Sequence, residues 1–198
     1  MADQDLDQGK RRFILTATTT VAAGVAGAAS AVPFVASMLP SERAKAAGAP
    51  VEVDISDIAP GQKKIVEWRG KPVWIVRRTP EMLKTVEQDA DRVADPQSKR
   101  SQQPDYAKND FRSLKPEYLV LVGICTHLGC SPVDRLVSEP EPFESNWHGG
   151  FYCPCHGSLF DLAGRVYKNK PAPDNLTVPP YKFVGDTKLV IGEDTKGA

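Results

Sequence analysis

The chain has 198 residues, of which 41% are hydrophobic, and it carries equal numbers of basic and acidic side chains, 25 of each. This balance lacks the basic excess that is typical of nucleic-acid-binding proteins, so we expect no nucleic-acid partner. The length exceeds what one ordinary core requires, and the charges are unevenly spread, since residues 13–39 contain none.

The uncharged segment 13–39 predicts a single transmembrane anchor. As a helix it would measure roughly 40 Å at about 1.5 Å per residue, against a hydrocarbon core of roughly 30 Å. Lys10, Arg11 and Arg12 directly precede it. By the positive-inside rule, residues 1–12 therefore lie in the cytoplasm, and the chain after position 40 lies on the other side of the membrane.

The same N-terminus carries an export pattern. The run Arg11-Arg12-Phe13-Ile14-Leu15 is similar to a twin-arginine signal, which indicates a bacterial protein with its head in the periplasm and its anchor in the inner membrane. A cleaved signal peptide is the alternative, with Ala29-Ser30-Ala31 as the cleavage site. The spanning length of the segment favours an uncleaved anchor.

Residues 40–50 connect the anchor to the rest of the chain and are bounded by Pro40 and Pro50. Their alanines and charged residues favour a helix, whereas Gly48 and Pro50 end one. The composition fits an inert linker, and it also fits a flexible hinge that changes between helix and extended chain.

Residues 51–198 are predicted to form a β-rich head. Period-two alternation and short β-branched or aromatic runs between turn residues predict strands at 51–55, 65–68, 73–76, 117–124, 149–152, 181–184 and 188–191. Residues 80–93 have helical spacing, with Val86 and Val93 on one face, and residues 95–110 are expected to be an irregular surface loop. Several short strands with turn signals predict an all-β antiparallel sandwich.

Two short runs contain all four cysteines and two of the three histidines: Cys125-Thr126-His127-Leu128-Gly129-Cys130 and Cys153-Pro154-Cys155-His156-Gly157-Ser158. Two thiolates and two imidazoles suffice for one metal site, and the two other thiols suffice for one disulfide. Structural zinc modules usually place like ligands together, whereas each run here mixes cysteine with histidine. Mixed pairs are typical of a Rieske 2Fe–2S centre, in which two cysteines bind one iron and two histidines the other. Structural zinc and a four-cysteine disulfide framework are the alternatives.

The two runs resemble the cluster-binding loops of the Rieske iron–sulfur subunits of ubiquinol–cytochrome c reductase, the cytochrome bc complex. Residues 70–80 are similar to that family's base-domain strand, and residues 170–176 are similar to its proline loop beside the cluster. The resemblance covers essentially the whole chain and is to the bacterial type. It implies a Rieske-type β-sandwich head at 51–198, in which residues from about 115 to 180 form a small inserted cluster-binding subdomain.

The resemblance also implies a role for each residue of the two runs. The metal ligands would be Cys125, His127, Cys153 and His156, the disulfide would join Cys130 to Cys155, and the Ser158 hydroxyl would donate to a bridging sulfide. The third histidine, His148, is expected to face solvent in a loop. High-potential members carry a tyrosine that donates to a cysteine sulfur where this chain has Phe160, so we expect a lower, though still positive, reduction potential.

The function implied by the resemblance is electron transfer in a respiratory complex. His156 would hydrogen-bond ubiquinol in a pocket of cytochrome b and take up an electron and a proton. The head would then pass the electron to a membrane-anchored c-type cytochrome and so contribute to proton translocation by a dimeric complex. Leu128 and residues 171–173 would shield the cluster and form a docking surface. The small Rieske subunit of arsenite oxidase is the alternative, and the base-domain strand and proline loop favour the bc complex.

Overall fold

The computed structural model describes residues 7–100 and 102–194, except for the side chains of residues 43 and 47. The chain divides into two compact units, residues 1–46 and residues 47–198.

The N-terminal unit contains a long helix, α1, at Gln8–Ser37. The carboxylate of Asp7 caps it by accepting hydrogen bonds from the N–H groups of Gly9 and Lys10. The helix begins before the predicted anchor 13–39, and it continues through Pro33. Its length and its mean hydropathy of 1.5 over 18 residues suffice for a membrane crossing.

The threonine hydroxyl groups in the first half of α1 are hydrogen-bonded within the helix. Thr16, Thr18 and Thr19 each donate a hydrogen bond to a carbonyl oxygen one turn earlier in the helix, at 2.8 Å. Such back-bonding lets a hydroxyl enter an apolar environment without losing its hydrogen bond. These polar residues within the apolar helix are therefore compatible with a position in a lipid bilayer.

A short helix, α2, occupies Glu42–Ala47 within the predicted hinge. The Ser41 hydroxyl accepts a hydrogen bond from the N–H of Ala44 near its start, and Lys45 pairs with Glu42 at 2.7 Å. The helix ends before Gly48, as the residue types favour. Motion of this segment stays a prediction.

Within the described residues, the head contains three antiparallel sheets with three strands each, in the orders β1-β9-β8, β2-β3-β4 and β5-β6-β7. The strands are β1 Val51–Asp54, β2 Lys63–Trp68, β3 Lys71–Arg77, β4 Tyr118–Val122, β5 Val133–Arg135, β6 Gly150–Cys153, β7 Ser158–Asp161, β8 Tyr181–Val184 and β9 Lys188–Ile191. The all-β antiparallel head with one N-terminal apolar helix is confirmed. The sheet of β5, β6 and β7 lies within residues 115–180, but β4 pairs with β3, and the limits of the inserted subdomain stay a prediction.

The helix predicted at 80–93 is shorter than expected. Helix α3 spans Pro80–Gln88, with the Thr79 side chain accepting from the N–H of Met82 at its start and Asp89 at its C-cap. The prediction that Val93 lies on a helical face is wrong, because Val93 forms an isolated β-bridge with Tyr167. Tertiary contacts of the buried Asp89 override the helical spacing here.

The segment 95–110 is not wholly a surface loop. Ser98 and Ala107 are fully buried, and Asp95 is largely buried. A short 3-10 helix occupies Asp105–Ala107. The polar composition of this segment predicted exposure, but the Tyr106 hydroxyl donates to the carbonyl oxygen of Tyr181 at 3.0 Å, and Arg100 donates to that of Pro173.

Two sheets meet where the Trp74 ring on β3 stacks on Phe151 of β6, with ring centroids 4.9 Å apart. Gly123 follows β4 and leads into the first Cys/His run. A Cβ atom at Gly123 would lie 2.2 Å from the Trp74 ring, so only glycine lets the chain pass this ring on its way to Cys125. The core therefore fixes the path of the backbone into the candidate site.

Candidate metal centre

The two Cys/His runs fold into similar turns. The N–H of Gly129 donates to the carbonyl oxygen of Cys125 at 3.1 Å, and the N–H of Gly157 donates to that of Cys153 at 2.9 Å. Both glycines have positive φ, +84° and +76°, a conformation that other residues adopt at a cost. The first run follows β4, and the second joins β6 to β7.

A disulfide between Cys130 and Cys155 ties the two turns together, with Cα atoms 6.7 Å apart. This is the pairing that the family resemblance implies. The sulfurs of Cys130, Cys153 and Cys155 all lie within 4.8 Å of one another. The two disulfide sulfurs are not thiolates, so Cys153 is the one member of this group that offers a thiolate to a metal.

The four candidate ligands form two like pairs across the turns. Cys125 and Cys153 are the free cysteines, both 2% exposed, and their side chains are in hydrogen-bonding contact. The rings of His127 and His156 meet edge to face, with centroids 4.7 Å apart and planes at 90°. Each turn thus supplies one member of each pair, a buried sulfur pair and a more exposed nitrogen pair.

The chemistry of these groups fits a bound metal. Nδ1 of His127 is buried and has no hydrogen-bond partner among the described residues, a state that costs about 1–3 kcal/mol unless a ligand satisfies the atom. Burial raises the pKa of the Cys125 thiol, the His127 N–H opposes this, and neighbouring Cys153 raises it further. A buried thiol such as that of Cys125 loses its proton readily only when a cation compensates, as a metal ion does.

Ser158 is fully buried beside this group. Its hydroxyl oxygen accepts a hydrogen bond of 3.0 Å from the N–H of Ala172 in the proline loop, residues 170–176. The hydroxyl also interacts with the side chain of Cys125 and lowers the pKa of that thiol. Because the oxygen accepts from Ala172, its own proton remains free to be donated toward sulfur.

The proline loop touches both turns. Thr126, which lies between two candidate ligands, donates its hydroxyl proton to the carbonyl oxygen of Asp174 at 2.6 Å. Ala172 makes the contact with Ser158 in the second turn. Leu128 at the tip of the first turn is 71% exposed. The position of Thr126 in the motif is the one sequence signal that could have indicated this contact.

His148 does not face solvent as expected. Its side chain is 21% exposed, and Nδ1 lies 2.9 Å from Oδ1 of Asp89, which is 1% exposed. Tyr167 donates to the other oxygen of Asp89 at 2.7 Å, and Arg92 lies 2.8 Å from Oδ1. This network binds the end of α3 to the segment before β6. No sequence pattern revealed it, since its members come from separate parts of the chain.

Phe160 is fully buried on β7, opposite Phe151 of β6. It therefore occupies a core position in the strand that begins at Ser158, and it brings no hydroxyl donor to the site. The effect of this residue on the reduction potential stays a prediction.

Comparisons with known proteins agree with this geometry. The Rieske [2Fe-2S] domain family matches residues 50–182, and the ubiquinol–cytochrome c reductase Fe–S subunit TAT signal family matches residues 1–41. The ubiquinol–cytochrome c reductase iron–sulfur subunit of Allochromatium vinosum is 56% identical over 198 residues, covering 100% of this chain and 95% of the relative. That of Bradyrhizobium diazoefficiens is 45% identical over 186 residues, covering 94% and 96%.

Among solved structures, a chain of a hyperthermophilic respiratory complex III is similar at 29% identity with a TM-score of 0.46, covering 88% of this chain and 98% of that one. The domain match over most of the head and the identity to full-length relatives show the family. The chain belongs to the iron–sulfur subunits of ubiquinol–cytochrome c reductase and carries a Rieske domain for one 2Fe–2S cluster.

Proposed function

We propose that this chain is the Rieske electron-transfer subunit of a respiratory cytochrome bc complex. It accepts an electron and a proton from ubiquinol at the quinol-oxidation site of cytochrome b, and it delivers the electron to a membrane-anchored c-type cytochrome. The observation that carries the proposal is the pairing of ligands across the two turns. Buried Cys125 and Cys153 form one pair, and His127 and the exposed His156 form the other.

In this arrangement Cys125 and Cys153 would hold one iron of the cluster, and His127 and His156 would hold the other. The cluster supplies a one-electron acceptor, and neutral imidazole ligands raise its potential relative to an all-cysteine cluster. Nδ1 of His127 is the buried, unpartnered nitrogen of its ring, so it is the atom suited to bind metal. The outer nitrogen of an imidazole bound in this way is left to hold or release a proton.

The exposed His156 is the residue that we assign to quinol. Its outer ring nitrogen accepts a hydrogen bond from a quinol hydroxyl and takes the proton as the electron leaves the quinol. Leu128, at the tip of the first turn, and the proline loop exclude water from the contact with cytochrome b. The buried cysteines take no part in proton transfer, since neither is accessible to solvent.

The apolar helix and the match to the TAT signal family support the following placement of the chain. Helix α1 crosses the inner membrane once and contacts the lipid bilayer, residues 40–50 act as the hinge, and the head lies on the periplasmic side. A disulfide in the head is consistent with that oxidising compartment. The complex is expected to be a dimer, as symmetric oligomers commonly are.

EPR spectroscopy of native membranes tests the proposal. After mild reduction, the membranes should give the signal of a reduced 2Fe–2S cluster, and an inhibitor of the quinol-oxidation site should change its line shape. Cytochromes b and c should also co-purify with this chain from the membranes. A protein without iron and acid-labile sulfur, or a signal that is insensitive to the inhibitor in a preparation without those cytochromes, contradicts the proposal.

A further inference from the structure

A polar segment of the head lies beside the proline loop and the residues that follow this loop. This segment, residues 95–100 and 102–103, is called the brace below. Three hydrogen bonds join the brace to residues 175–178: Asn175 Nδ2 to Asp95 O at 3.1 Å, Val178 N to Gln102 O at 2.8 Å, and Thr177 Oγ1 to Gln102 Oε1 at 3.3 Å.

A buried arginine side chain also joins the brace to residues 175–178. Arg112 is fully buried and donates to Gln103 Oε1 in the brace at 3.1 Å and to the carbonyl oxygen of Leu176 at 2.6 Å. It also donates to the carbonyl oxygen of Gly164 at 3.2 Å. Burial lowers the pKa of Arg112 to about 10, which leaves it charged at neutral pH. The base of the brace is therefore fixed by charge-assisted hydrogen bonds.

Arg100 is the brace residue that reaches the proline loop itself. Its guanidinium donates to the carbonyl oxygen of Pro173 at 2.5 Å and to the carboxylate of Asp174 at 2.8 Å. The Thr126 hydroxyl also donates to the carbonyl oxygen of Asp174. The dipeptide Pro173–Asp174 thus accepts hydrogen bonds both from Arg100 and from the first ligand turn.

This dipeptide directly follows Ala172, whose N–H donates to the Ser158 hydroxyl. An N–H group that occupies one of the two lone pairs of the Ser158 oxygen restricts where the hydroxyl proton can point. A shift of the proline loop would weaken that contact and release the proton from its orientation toward the cysteine sulfur. Donation of this kind stabilises the reduced, more negative cluster and raises its potential.

We propose that Arg100 is a positioning residue for the cluster, which acts through the Pro173–Asp174 dipeptide to keep the Ala172 N–H on the Ser158 hydroxyl. The inference rests on the proposed function, because it assumes a 2Fe–2S cluster between the two turns. It assigns a role in tuning the cluster to a segment that lies outside both cysteine-containing runs.

The test compares Arg100→Gln with Lys99→Gln in the full-length chain, purified from membranes with its cluster. Lys99 is the exposed neighbour, and its side chain forms no hydrogen bond or ion pair with the proline loop in the described part of the chain. The two variants lose the same charge, so long-range electrostatics affects both. Hydrogen exchange at the Ala172 amide should become about two- to fivefold faster in Arg100→Gln, the fold-change expected of one exposed charged pair. Lys99→Gln should leave it unchanged.

The midpoint potential provides the readout that a merely structural role would not move. It should fall more in Arg100→Gln than in Lys99→Gln, and Arg100→Lys should restore part of the difference because it keeps a charged donor. Combined with Thr126→Val, the effect of Arg100→Gln should be non-additive, since both residues hold the same dipeptide.

Equal exchange rates and equal potentials in Arg100→Gln and Lys99→Gln would overturn the positioning role while leaving the proposed function intact. A parent chain that gives no 2Fe–2S signal would instead overturn the proposed function, and the tuning of the cluster with it. Hydrogen exchange would still report whether Arg100 holds the loop. The two failures are therefore distinguishable.

Discussion

The imidazole rings of His127 and His156 stand perpendicular to each other with their centroids 4.7 Å apart, although the residues belong to different turns. The disulfide from Cys130 to Cys155 holds these turns together. On the buried side the same turns bring Cys125 into contact with Cys153. The site therefore has a sulfur side inside the core and a nitrogen side toward the surface, which suits an acceptor that must be reached by a partner.

The histidines provide the first test of the ligand assignment. His127→Ala should abolish the cluster, because it removes one of two nitrogen ligands, and the visible absorption, iron and acid-labile sulfide should all be lost. His148→Ala is the matched control. It should retain the cluster, since His148 contacts Asp89 rather than the turns. Equal loss of iron in both variants would show that the assignment of His127 is wrong.

The hydroxyl of Ser158 is expected to raise the potential of the cluster. Ser158→Ala removes a buried donor and should lower the midpoint potential by about 60 mV, because a hydrogen bond to a charged group contributes about 1.5 kcal/mol and a tenfold change in a one-electron equilibrium is about 59 mV. Redox titration followed by EPR measures this shift. Ser131→Ala is the control, since the Ser131 hydroxyl donates to the carbonyl oxygen of Gly123 instead. The prediction fails if the two variants titrate alike.

Position 160 tests the same effect on the midpoint potential in the opposite direction, because Phe160 lacks the hydroxyl donor that a tyrosine would supply. Phe160→Tyr adds a hydroxyl to the fully buried ring on β7, and if that hydroxyl donates to a cysteine sulfur, the midpoint potential should rise by about 60 mV for the same reason. Phe160→Leu changes the packing without adding a donor and should give no such rise. An unchanged potential in a folded, cluster-containing Phe160→Tyr variant would contradict the expected role of this position.

Tyr181 predicts an alkaline limit to the stability of the head. Burial raises its pKa from 10.0 to about 12, although the hydrogen bond from the Leu114 N–H opposes this. Between pH 10 and 12 the unfolded chain loses this proton while the folded chain keeps it. The free energy of unfolding therefore falls as pH rises through this range, by at most about 3 kcal/mol from this group.

Denaturant unfolding of the parent chain and of Tyr181→Phe measures this contribution. The variant should be less stable at neutral pH, because the Leu114 N–H loses its acceptor. It should also lose less stability than the parent between pH 10 and 12. Parallel stability profiles for the two proteins would show that Tyr181 does not titrate with a raised pKa.

The sequence by itself determined the local features of this protein. Strands such as β8 and β9 were predicted at their observed bounds, because period-two alternation and the Gly185-Asp186 turn are properties of neighbouring residues. The mixed Cys/His spacing likewise favoured a Rieske cluster over structural zinc, since ligand type and spacing affect metal preference. The apolar N-terminal helix followed from the absence of charge over a spanning length.

Only the tertiary structure decided how distant segments meet. The end of α3 at Gln88 depends on Asp89, whose partners Tyr167 and His148 come from far along the chain. The contact of Arg100 with Pro173 contradicted a polar composition that indicates a surface loop. Hydrogen bonds between remote polar groups have no sequence period, and they can satisfy polar side chains inside a protein as water does outside it. For that reason a set of candidate ligands could be proposed from the sequence, whereas the residues that hold them in position could not.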